Sequence, residues 1–103
     1  MFNLFNEAKG TPLKYDEFKK YEIESYSKGQ WRFMFENNYG ASVIKHWGSF
    51  GYEEDKFELA VLYFDEEGNS QISYNTPIAD DVIGHLDNDE VLELLRKIKD
   101  LKE

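Results

Sequence analysis

Cysteine is absent from the 103 residues, which excludes disulfides, thiolate metal sites and thiol nucleophiles and fits a reducing compartment. Histidine occurs twice. Neither His46 nor His85 stands in an H-x-x-x-H or comparable ligand spacing, so the pattern gives no histidine-based zinc site. No apolar run approaches the roughly 20 residues that a membrane-spanning helix needs. The opening MFNLFNEAKG has no basic n-region and carries an acid, so it does not read as a signal peptide. These absences predict a soluble, cytoplasmic protein with no membrane contact. Catalytic signatures are missing too. Gly48-Ser49-Phe50-Gly51 is only superficially a G-x-S-x-G elbow, and no G-K-[ST] follows any glycine to make a phosphate loop. Asp87 to Glu90 lack the glycine and distal glutamate of an EF-hand. No cofactor and no catalytic residue is expected.

Aromatic residues are plentiful, at 17% of the chain within a hydrophobic fraction of 41%. That apolar surface can offset the entropy of ordering one domain, 1–103, with residues 1–10 expected to be flexible. Charge is the other excess. Residues 1–49 carry seven Lys/Arg against six Asp/Glu, or +1, whereas residues 50–103 carry five against fifteen, or −10, which together make the net −9. A field of that sign repels phosphate backbones and attracts basic surfaces. Direct nucleic-acid binding is therefore disfavoured, and a protein partner with a basic surface is the natural complement. The plainer reading of the acidity is solubility.

Thr11-Pro12 has the form of a helix start and predicts a short helix near residues 12–20. Alternation from Tyr21, interrupted at Ser27-Lys28-Gly29 and resumed as Trp31, Phe33 and Phe35 against Arg32, Met34 and Glu36, predicts a hairpin. A third strand follows from Ala41 to Trp47. Gly48 to Lys56 is the one long irregular connection. Phe57 to Phe64, apolar on both faces, predicts a central strand, and the turn Asp65 to Asn69 returns the chain into a strand from Ser70 to Asn75. Residues 78–86 read as a compact connection with room for one helical turn. Asp87 and Glu90 have capping-box spacing before the apolar stripe Val91, Leu94, Leu95, Ile98, Leu101. The expected fold is α+β: an antiparallel meander of about five strands, a short N-terminal helix, and a C-terminal helix packed on the sheet.

Three segments within residues 39–95 stand out as they are written: YGASVI, the loop and strand GSFGYEEDKFELAVL, and TPIADDVIGHL before the last helix. This block resembles a family of small accessory proteins of tailed bacteriophages whose function is uncharacterised. The resemblance implies a phage origin, a single fold and action in the host cytoplasm. It carries over no catalytic or ligand residue.

Candidate sites come from the residues themselves. Trp47, Phe50 and Tyr52 cluster in and beside the long loop with Glu53, Glu54 and Asp55 directly after, a composition suited to a protein-binding patch, although packing against the sheet edge explains the aromatics equally well. Glu53 to Asp55 have no evident structural duty. Asp80 and Asp81 form a second acidic candidate. The leading expectation is a non-enzymatic accessory protein that binds another protein, such as a basic host defence or nucleic-acid-handling enzyme. A sharper version is a DNA mimic using acids at 53–55, 65–67, 80–81 and 87–90. Two alternatives are a metal-dependent enzyme using Asp80, Asp81 and His85, and a homo-oligomeric, virion-associated protein.

Overall fold

A computed structural model describes residues 10–102. The expected flexibility of residues 1–10 and the reading of the opening stretch fall almost wholly outside them. The described strands are β1 (Glu22–Ile23), β2 (Gln30–Met34), β3 (Tyr39–Ile44), β4 (Phe57–Phe64), β5 (Ser70–Ile72) and β6 (Ile83–Leu86), followed by the helix α1 (Asn88–Lys99). The strands form one antiparallel sheet in the order β1-β2-β3-β4-β5, with β6 also on β4. The architecture is the expected α+β sheet with a helix on one face.

Two local expectations are corrected. The N-terminal helix is a single 3-10 segment, Asp16–Tyr21, and Thr11 and Pro12 lie before it; its N-cap is Tyr15, whose side chain makes no capping bond. Thr11 is drawn elsewhere, because its amide and hydroxyl both bond Asp55. Residues 78–86 contain a strand rather than a helical turn. β5 pairs with β4 at Leu62 to Phe64 and β6 pairs with it at Phe57 and Leu59. They therefore occupy one lane along the same edge of β4, interrupted by an excursion over residues 73–82.

Alternation sorts the faces. Phe33 and Phe35 from β2 and the turn after it, Ala41 and Val43 from β3, and Phe57, Leu59 and Val61 from β4 point one way and meet Val91, Leu95 and Ile98 of α1 in the core. Phe18 of the 3-10 segment joins them edge-on to Phe35, and Trp31 stands edge-on to Phe57 at 5.8 Å. The aromatic row of β2 thus lies on the helix-covered face.

Both helix ends are tied. Asp87 accepts from the Glu90 amide at 2.8 Å while the Glu90 carboxylate accepts from the Asp87 amide at 2.9 Å, the reciprocal box its spacing promised. At the far end the Asn37 side-chain amide donates to the carbonyls of Ile98, Lys99 and Leu101. A bidentate Arg96–Glu17 pair fixes the 3-10 segment to α1. Because Leu86 pairs with Phe57 and α1 begins two residues later, the helix N-terminus sits at the Phe57 end of β4, beside the long loop.

Candidate functional site

The loop after β3 is built by its glycines and one serine. Gly48 (φ 95°) and Gly51 (φ 104°) take left-handed backbone that residues with a Cβ disfavour. Ser49 closes the first turn, its hydroxyl donating to the His46 carbonyl at 2.7 Å and accepting from the His46 amide at 3.1 Å. A short 3-10 turn, Tyr52–Glu54, follows. Asp55 then reverses the chain at φ 63°, and the Lys56 amide reaches back to the Gly51 carbonyl at 2.9 Å.

This loop rests on β6. Between the pairs Phe57–Leu86 and Leu59–Ile83, two residues of β6 oppose the single residue Glu58, which is a β-bulge. The bulge puts His85 at φ 57° and re-aims its ring toward the loop. The His85 amide donates to the Phe50 carbonyl at 3.1 Å, and the Phe50 amide donates to Glu58 Oε1 at 2.9 Å. A Cβ on Gly84 would fall 2.5 Å from the Phe50 Cβ, and one on Gly51 would fall 2.9 Å from the His85 backbone. Contact that close requires glycine on both sides.

The result is an open depression of about 400 Å³ lined by Trp47, Ser49, Phe50, Tyr52, Glu53, Glu54 and His85 with the intervening glycines. Trp47 is 87% exposed and Phe50 59% exposed. Glu54 Oε1 lies 2.7 Å from His85 Nδ1, and both side chains face solvent. The structure therefore unites five of the predicted site residues, Trp47, Phe50, Tyr52, Glu53 and Glu54, in one cavity wall, and adds His85. Sequence reasoning offers His85 as a metal-site candidate beside Asp80 and Asp81. Its side chain bonds Glu54 instead, because the bulge is set by tertiary pairing that no local pattern announces.

Asp55 is a correction. It has a structural duty: its carboxylate accepts from the Thr11 amide at 2.9 Å and forms an ion pair with the buried Lys45, whose ammonium lies 4.3 Å from the centre of the Phe57 ring and also donates to the Thr11 carbonyl. The Lys45 ammonium first, and the Thr11 amide second, hold the Asp55 carboxyl below the ordinary carboxylate value. One carboxylate thus ties together the segment before the 3-10 helix, the end of β3 and the loop. Glu53 and Asp55 are both exposed, but among the described residues the Glu53 carboxylate has no recorded hydrogen bond or ion pair.

Asp80 and Asp81 do not line this cavity. Both are exposed on the excursion between β5 and β6, where Asp81 accepts from the Val82 amide at 2.7 Å. Among the described residues no three His, Asp or Glu side chains gather as a metal-holding group. Asp80, Asp81 and His85 therefore do not make the metal centre that an enzyme reading needs. Among the described residues no helix is long and apolar enough to cross a membrane.

No protein-family model, no curated protein and no solved structure matches this chain.

Proposed function

We propose that this protein acts by binding another protein through the loop 47–56, with Trp47 and Phe50 as anchors and Glu53 and Glu54 as the charged rim. The observation that carries this reading is two large aromatic side chains held out to solvent on a backbone pinned at every turn. An aromatic anchor presented rigidly loses little conformational entropy on docking, and nearby carboxylates steer a basic partner into register. The complementary surface is basic and contains an apolar pocket. The resemblance of residues 39–95 to tailed-phage accessory proteins implies a phage origin and no target; the acidity of residues 50–103 is what favours a basic partner, such as a host enzyme that handles nucleic acid.

The distribution of acids favours this local patch over a mimic of a phosphate array. Residues 53–55 and 65–67 flank opposite ends of β4, whose eight residues span about 25 Å. Asp55 is engaged by Lys45, and Asp87 and Glu90 by the helix cap.

Affinity capture from host lysate followed by binding kinetics tests the reading. With the captured partner, Glu53→Ala/Glu54→Ala slows association several-fold at low salt and flattens its salt dependence, while Trp47→Ala raises the dissociation rate by at least about tenfold. Unaltered kinetics for both variants would place the binding surface elsewhere.

A further inference from the structure

On the face of the sheet turned away from α1, Arg32 is 6% exposed, yet it belongs to none of the ion pairs among the described residues. A buried cation normally has a carboxylate beside it, because leaving it uncompensated in a low-dielectric site is costly. Among the described residues Arg32 has only neutral partners. Its Nη1 donates to the Glu24 carbonyl at 2.9 Å, its Nη2 donates to Ser70 Oγ at 2.9 Å, and the Tyr26 ring covers one face of the guanidinium at 4.4 Å. An anion would therefore meet the group edge-on.

Two hydroxyls beside it are poised the same way. Ser70 Oγ accepts from Arg32, and Ser42 Oγ accepts from Gln30 Nε2 at 3.1 Å. Each oxygen has one of its two lone pairs engaged and its own proton left to give. Neither donates to another group among the hydrogen bonds of the described residues. All three side chains line one open depression of about 380 Å³, which also includes Ile44, Leu62 and Ile72. Glu58 lines it as well, but its carboxylate is turned to the Phe50 amide. At physiological salt the other carboxylates of this acidic chain are screened over about 8 Å.

We infer that this sheet face is a binding site for a small carboxylate with an apolar body, the carboxylate taken by Arg32, Ser70 and Ser42 and the body laid on Ile44, Leu62 and Ile72. The arrangement supplies what such a ligand lacks once it leaves water: a cation and two hydroxyl donors for its head, and aliphatic surface for its tail. The site is separate from the loop 47–56, and its occupancy does not depend on the protein-binding reading.

Hexanoate and its neutral isostere hexanamide are the probes, read by ¹H–¹⁵N NMR on the full chain. Hexanoate is expected to shift the Arg32 Nε–H resonance and the amides of Ser42, Leu62, Ser70 and Ile72 in a saturable way, with hexanamide at least tenfold weaker. Ser70→Ala, a milder change than removing the cation, should weaken hexanoate several-fold with an unchanged amide spectrum elsewhere. Arg32→Gln should abolish the difference between the two probes. Equal response to both probes, or hexanoate shifts confined to the lysines near the end of α1, would overturn the inference. So would shifts of the same amides on raising protein concentration without probe, since a second copy would then be what covers the face.

Discussion

Lys45 follows Ala41 and Val43 in the alternation that faces α1, so its ammonium is carried inward at the point where β3 ends. A lysine in that position needs a carboxylate. Asp55 supplies it from ten residues on, at a backbone conformation that aspartate and asparagine tolerate better than most. That inward lysine was the sequence signal for the Asp55 contact, and the alternation alone was enough to expose it; choosing Asp55 over Glu53 or Glu54 required the loop's left-handed turns. Removing the acid leaves a buried ammonium without its counter-charge. Asp55→Ala is therefore expected to lower stability by about 1–3 kcal/mol, or roughly 4–8 °C in melting temperature for each kcal/mol, whereas Glu53→Ala stays within about 0.5 kcal/mol. Thermal melts of the two variants separate these outcomes. The expectation that Glu53 to Asp55 have no structural duty thus fails at Asp55. The pH dependence has a definite sign. Because the folded carboxyl ionises at lower pH than its ordinary value of 3.8, its contribution is complete above that value and is lost as pH falls through the folded one. Asp55→Asn, which keeps the turn conformation but not the charge, should flatten the loss of melting temperature between about pH 5 and pH 2. A slope matching the unsubstituted protein would mean that other carboxylates dominate the acid limb.

Among the elements, those whose signals are local were legible. The cap at Asp87 and Glu90, the apolar stripe of α1 and the apolar run of β4 each repeat with the period of one element, and each appears where the pattern puts it. The 3-10 segment was misread because Thr11 has a second option, the Asp55 carboxylate 44 residues away, and a long-range bond of that kind outcompetes a cap. β6 was missed because its four residues include Gly84 and a bulge, so no alternation survives, and its pairing is dictated by the unfilled half of the β4 edge. The Asp87 cap gives the element-scale test. Replacing Asp87 by Ala removes the acceptor for the Glu90 amide and should cost about 1 kcal/mol, while Asp87→Ser, which can still accept, should recover most of it. Urea titrations check both. An equal loss for the two would show that the carboxylate's charge at the helix N-terminus, rather than its hydrogen bond, carries the effect.

At the scale of the whole molecule, the sheet is organised around β4. β3 runs along one edge at every residue from Glu58 to Tyr63, and β5 with β6 shares the other. All of its residues except Glu58 and Tyr63 are buried. The candidate loop joins β3 to β4, so the exposed aromatics Trp47 and Phe50 are suspended from the two best-anchored strands, which is why the loop can be rigid while open. The lateral strands are brief: β1 has two residues and β5 three, the latter mostly exposed. Amide exchange follows how many contacts must break for a group to meet water, and it reaches the global unfolding free energy only where a strand is bordered on both edges and buried. Native-state hydrogen exchange should therefore find the slowest amides in β4 and in the part of β3 that faces it, faster ones in β6, and the fastest among the strands in β1 and β5. The backbone amides of Phe50 and Lys56, bonded to Glu58 and to Gly51, should exchange more slowly than that of Glu53, for which no bond is recorded among the described residues. Protection of the β5 amides equal to that of β4 would mean that the β5 edge is covered in solution. Fast exchange at Phe50 and Lys56 would mean that the loop is mobile and its aromatics are not pre-organised anchors.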